Sequence, residues 1–209
     1  MKVLDIDTWN RKEHFEFFNS FSDPYFSVTS KLDVTQAKSY AAEKKISFFA
    51  VYLHACMQAI NSVENFRYRI VDEKVVCYDI IHASPTILRP NKTFGFSFIH
   101  YNSNLQDFVV NIVKEKERIF NSSSLFPPIN SLDCIYCSAM PWIAITGHKE
   151  PVKGEKESVP KLAFGKAVAT NGVYEMSVAV SVNHALVDGY HLGCFFEKFQ
   201  EYLNSYNNS

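Results

Sequence analysis

The chain has 209 residues, 47% of them hydrophobic and 15% aromatic, enough to bury most of its apolar surface around one core, and it reads as a single domain over residues 1–209. Its 21 basic and 22 acidic residues leave a formal net charge of −1, so there is no positive excess for a nucleic acid backbone or an anionic membrane. No apolar run reaches the roughly 18 residues of a bilayer span, and the start Met1-Lys2-Val3-Leu4-Asp5 is acidic too early for a signal peptide; a soluble, cytoplasmic protein with no nucleic acid and no membrane partner is expected.

Residues 25–31, Tyr-Phe-Ser-Val-Thr-Ser-Lys, are rich in aromatic and branched side chains and predict a strand. Asp33, with Gln36 three residues on, predicts a helix start leading into Ala37–Ala42. Residues 48–60 are apolar on nearly all sides and too long for a strand, which predicts a buried helix. Short strands are expected at 75–80 and 94–100. In residues 104–120, Leu105, Phe108, Val109, Ile112, Val113, Ile119 and Phe120 recur at three- and four-residue steps opposite Lys114, Glu115, Glu117 and Arg118, the pattern of a surface helix. Residues 147–157 are polar and predict an exposed loop. The period-two alternation of residues 174–182 predicts a strand. Leu192, Phe195, Phe196, Phe199, Tyr202 and Leu203 then switch to helical spacing. Strands and helices intermingle, so the class is α/β with a mixed sheet.

The loop between that last strand and the terminal helix is Asn183-His184-Ala185-Leu186-Val187-Asp188-Gly189-Tyr190-His191. A histidine at a strand end has its imidazole held by a rigid element and near neutral pH can take a proton from a hydroxyl or thiol; the alternative is a structural histidine satisfied in a turn. Cys56, Cys77, Cys134, Cys137 and Cys194 are odd in number and set in apolar context, which suits a reducing compartment. Cys134-x-x-Cys137 has no second ligand pair, so no metal is expected.

The H-x-x-x-D-G run of His184, Asp188 and Gly189 resembles the active-site signature of the chloramphenicol acetyltransferase family and, more distantly, that of the catalytic domains of dihydrolipoyl acyltransferases. The likeness extends to Trp9–Phe17, Phe26–Asp33, Leu125-Phe126-Pro127 and Ser138-Ala139-Met140-Pro141-Trp142, and so covers nearly the whole chain. It implies a two-layer α/β sandwich with a mixed sheet, the CoA-dependent acyltransferase fold, with acetyl-CoA as co-substrate and no permanently bound cofactor. It further implies that His184 is the general base and that the Ser138 hydroxyl steadies the oxyanion. Asp188 would pair with Arg11 as a brace, and Lys166 would lie near the coenzyme path. Relatives of this type are homotrimers with the acceptor pocket between subunits, and the positions matching pocket linings are Phe17, Phe18, Phe26, Phe94, Phe96 and Phe126.

The chain departs from the family pattern in places. The first of two usual adjacent histidines is Asn183, a threonine position is Ala163, an aromatic position after Lys166 is Ala167, and pocket positions fall near His148 and Glu150. A buried Glu150 would suit a more polar acceptor than an apolar drug. The expected activity is acetylation of a chloramphenicol hydroxyl, as in antibiotic inactivation. The alternatives are acetylation of another hydroxyl-bearing small molecule and a noncatalytic trimeric binding protein.

Overall fold

The computed structural model describes residues 1–129, 131–151 and 157–206. In chain order its elements are β1 (Lys2–Val3), α1 (Lys12–Asn19), β2 (Tyr25–Asp33), α2 (Thr35–Glu43), α3 (Phe48–Ser62), β3 (Tyr68–Val71), β4 (Lys74–Cys77), β5 (His82–Leu88), β6 (Phe94–Phe96), α4 (Leu105–Phe120), β7 (Cys134–Ala139), β8 (Lys161–Thr170), β9 (Val173–Asn183) and α5 (Gly189–Asn204). Six strands form the main sheet in the order β2-β9-β8-β7-β5-β6, and β1, β4 and β3 form a small second sheet. The main sheet is mixed: β7 runs parallel to both β5 and β8, and the other pairs are antiparallel.

One face of the main sheet carries the helices. Met176, Val178, Val180 and Val182 of β9 and Leu162 and Phe164 of β8 pack into one core with Leu53, Cys56, Met57 and Ile60 of α3 and Phe195 and Phe199 of α5. The all-round apolar surface of α3 is explained by its place, since it packs against α2, α4 and α5 as well as the sheet. On the opposite face the register sets Ser84, Tyr136, Lys161, Ser181 and Ser27 side by side across five strands.

Several expectations are corrected. The strand at 75–80 is β4, which stops at Cys77 and belongs to the small sheet. The strand at 94–100 leaves the ladder after Phe96 and returns only at a bridge between Ala83 and Ile99. The N-cap of α2 is Val34, and Asp33 instead accepts the Thr35 N–H in a local turn. Of the predicted buried face of α4, Phe108, Ile112 and Ile119 are buried, whereas Val113 and Phe120 are exposed. The segment 147–157 is not wholly exposed: His148 and Glu150 fold inward, and residues 152–156 of that segment lie outside the described residues. The β8–β9 hairpin turns on Asn171 and Gly172, both at positive φ (52° and 85°), the geometry that two-residue hairpin loops require.

Arg69 is fully buried and donates to the carbonyls of Phe66, Tyr68, Leu132 and Cys134. It ties the small sheet to the start of β7, the strand that ends near Ser138. Burial holds its pKa down at about 10, still protonated at neutral pH.

Candidate active site

His184 leaves the end of β9, where its backbone N–H donates to the Pro24 carbonyl at 2.9 Å. Its ring lies flat on Phe18, with centroids 3.9 Å apart and planes 5° from parallel, and Phe26 packs at 4.4 Å. Phe17 and Phe21 extend this aromatic group at the surface. The Nδ1 atom of His184 is enclosed without a partner among the described residues, which leaves Nε2 as the nitrogen able to meet a substrate.

Asp188 caps α5. Its carboxylate accepts the Tyr190 N–H, and its own backbone N–H donates to His191 Nδ1 at 3.2 Å. Arg11 pairs with Asp188 through Nη1 and reaches the His184 carbonyl at 3.4 Å through Nη2, so one guanidinium grips both ends of the H-x-x-x-D-G turn. Partial burial pushes the Asp188 carboxyl up, but the Arg11 hydrogen bond and the charges of His191 and Arg11 outweigh it, and the group is held below the ordinary carboxylate range. His191, which sequence reasoning gave no role, completes this cap. Its pKa is lowered by burial against the opposing pull of Asp188. The capping-box spacing from Asp188 to His191 was the available signal for it.

Ser138 sits near the end of β7 and is partly exposed. It pairs with Ala163 on β8, and Ala163 with Ala179 on β9, which places Ser138 two strands across and five residues back from His184. At about 4.8 Å per strand and 3.3 Å per residue, the two are on the order of 19 Å apart within one chain. The aromatic positions divide in the same way. Phe17, Phe18 and Phe26 gather at the β2 edge, while Phe94, Phe96 and Phe126 cluster at the β6 edge, Phe96 stacked on Phe126 at 5.6 Å and edge-on to Phe94 at 5.5 Å. One chain does not bring the two groups together.

On the helix-free face a cavity of about 230 Å³ is lined by Tyr25, Ser27, His148, Lys149, Glu150, Lys161 and Ser181. His148 Nε2 lies 2.8 Å from Glu150 Oε1, so the carboxylate that sequence reasoning placed near the acceptor is partnered. Lys161 is buried and pairs with Glu157 and with the Pro151 carbonyl. Neither residue was singled out from the sequence, because a lysine inside a buried strand carries no local signature. Ala163 is buried against Ile145 and Ala179, and Ala167 packs on the main core. Lys166 is exposed at a β-bulge between Phe164 and Ala167. Cys134 and Cys137 point to opposite faces of β7, one into each of two separate clusters, and so do not form a chelating pair. No helix among the described residues is long and apolar enough to cross a membrane.

The sequence pattern described as chloramphenicol acetyltransferase matches residues 1–200. The chain is 29% identical over 208 residues to chloramphenicol acetyltransferase 3 of Escherichia coli, across 97% of this chain and 96% of the relative. It is 30% identical over 199 residues to the chloramphenicol acetyltransferase of Bacillus pumilus, across 94% and 90% of the two. A solved chloramphenicol acetyltransferase structure superposes with a TM-score of 0.85 at 30% identity, covering 97% of this chain and 99% of the other. The cubic core of the pyruvate dehydrogenase multienzyme complex shares the fold alone, with a TM-score of 0.69 at 14% identity over 87% and 82% of the chains.

Proposed function

Since this chain belongs to the chloramphenicol acetyltransferase family, we propose that it is an acetyl-CoA-dependent enzyme, working as one domain, that acetylates a hydroxyl of chloramphenicol and thereby inactivates the antibiotic in the cytoplasm. The observation that carries the reading is the His184 ring, packed against Phe18 and Phe26 on a turn gripped at both ends by Arg11. A base held this firmly does not have to be ordered during the reaction.

His184 Nε2 takes the proton of the acceptor hydroxyl as its oxygen attacks the thioester carbonyl of acetyl-CoA. For Nε2 to serve as base, the ring proton sits on Nδ1. The tetrahedral intermediate carries an oxyanion, to which the Ser138 hydroxyl donates a hydrogen bond. Collapse breaks the carbon–sulfur bond. The departing thiolate, far more acidic as a thiol than an alcohol is, takes the proton from the imidazolium. Lys166, exposed at its bulge, lies on the coenzyme's approach.

We further propose a homotrimer in which His184 of one subunit meets Ser138 of the next. The separation on the order of 19 Å within one chain supports this, because a base and an oxyanion donor must both reach one carbon. So does the division of the six phenylalanines between the two sheet edges, which would face each other across the interface. The test is release of coenzyme A thiol from acetyl-CoA with a panel of hydroxyl acceptors that includes chloramphenicol. Acetyl transfer to chloramphenicol is expected; transfer only to another acceptor, or none, refutes the assignment.

A further inference from the structure

Asn183 is the residue at which this chain departs from the two adjacent histidines of the family pattern, and it is 2% exposed. Both side-chain polar atoms and the backbone carbonyl are used around His184. The side-chain Oδ1 accepts the Ala185 N–H at 2.9 Å, and Nδ2 donates to the Glu157 carbonyl at 2.9 Å. Its backbone carbonyl accepts the N–H groups of Leu186 at 3.0 Å and Val187 at 3.1 Å. His184 is therefore flanked by a residue whose side chain bridges over it to the next peptide. The anchor on the other side is also built in, because the Glu157 carboxylate is paired with the buried Lys161, whose ammonium also donates to the Pro151 carbonyl and lies 5.2 Å from the centre of the Tyr25 ring. Tyr25 in turn is the strand partner of Asn183.

We infer that Asn183 is a positioning residue for His184, and that the bond from Ala185 N–H to Asn183 Oδ1, anchored through Glu157 and Lys161, sets the imidazole's direction. The inference rests on His184 being the base proposed above. Arg11 grips the turn from the α1 side through the His184 carbonyl, and Asn183 grips it from the opposite face of the sheet. Between them they fix the peptide after the histidine by its carbonyl and its N–H, while the His184 N–H to the Pro24 carbonyl holds the peptide before it, which is what a strand-end base needs to hold one rotamer.

Two matched pairs of variants isolate the bond. Asn183→Thr and Asn183→Val are nearly isosteric and both suit a strand, yet only threonine offers an oxygen to the N–H two residues on. Asn183→Ser and Asn183→Ala are the smaller pair, for use if the branched side chains prevent folding. In each pair the hydroxyl member is expected to exceed its partner in kcat by about tenfold, the scale of a modest misplacement of a catalytic group. KM for acetyl-CoA and for chloramphenicol should stay within about twofold of the parent. The ¹⁵N imidazole signals of His184, identified by their loss in His184→Ala, should move in the Val and Ala variants and stay in place with Thr or Ser. Equal kcat within both pairs, or a loss confined to KM with unmoved imidazole signals, overturns the role. Full activity in His184→Ala would instead fell the base assignment and this role with it, and the control in the same series tells the two failures apart.

Discussion

Phe18 covers one face of the His184 imidazole, the two rings lying parallel at 3.9 Å. A flat stack fixes the plane of the imidazole without occupying either nitrogen, so the ring is oriented and still free to exchange a proton. Phe18→Ala removes a contact of about 1 kcal/mol, and kcat/KM is expected to fall roughly fivefold. Steady-state kinetics on the purified variant check this, and unchanged kinetics would mean that Phe26 and Arg11 suffice.

His184→Ala should lower activity by about 10² to 10⁴-fold, and Ser138→Ala should lower kcat by roughly 10²-fold with little change in acceptor KM. Neither should unfold the chain, as both side chains are partly exposed. If the site lies between subunits, refolding the two inactive variants together should restore activity, since some interfaces then combine an intact His184 with an intact Ser138. No gain on mixing would place both groups in a site within one chain.

Arg11→Ala and Asp188→Asn should each reduce thermal stability and activity together, because each strands a partly buried partner. A double-mutant cycle is expected to show a coupling of about 1 kcal/mol or more; zero coupling removes the brace. The Asp188 carboxyl is held below its ordinary value in the fold, so its contribution is present above the unfolded value near 4 and is lost as pH falls through the folded one. The Asp188→Asn variant should accordingly show a weaker loss of stability in acid.

A second acid-sensitive contribution starts nearer neutrality. Burial lowers the pKa of His54, His82 and His191 in the fold, although Asp133 and Asp188 pull the last two upward. The unfolded chain takes up these protons below about pH 6.5 while the folded chain does not, so stability declines as pH drops through that window. His54 is the clearest case, buried between the Tyr206 hydroxyl at 2.7 Å and the Asn102 carbonyl at 3.1 Å. Melting temperatures between about pH 7.5 and 5 should fall less steeply in His54→Gln than in the parent; parallel slopes would count against His54 as a source of the loss.

Glu150 and His148 form a polar pair on the wall of the helix-free cavity, where the family pattern suggests apolar pocket positions. Glu150→Leu removes the charge that an apolar acceptor would have to desolvate, and KM for chloramphenicol should drop a few-fold with kcat little changed. An unchanged KM would place the pair outside the acceptor's reach.

Local patterns in the sequence were enough to locate β9, α3, α4 and α5 and the H-x-x-x-D-G turn between β9 and α5, because alternation and helical spacing record which side of an element meets the core. The matching motifs likewise carry the likeness to the family in sequence alone. β8 escaped notice although Asn171-Gly172 is a strong hairpin signal, since its apolar residues face both ways and period two is lost where both faces are covered. Tertiary structure alone decided the strand order, which strand ends lie near each other, and hence that His184 and Ser138 stand apart in one chain while Arg11 and Asp188, 177 residues apart in sequence, touch. It also decided that the buried Asn183 and Lys161 are joined through the half-buried Glu157 in one chain of contacts beside the histidine. The reason is that periodicity specifies the face a residue presents, whereas the neighbour it meets there is set by pairings between strands distant along the chain.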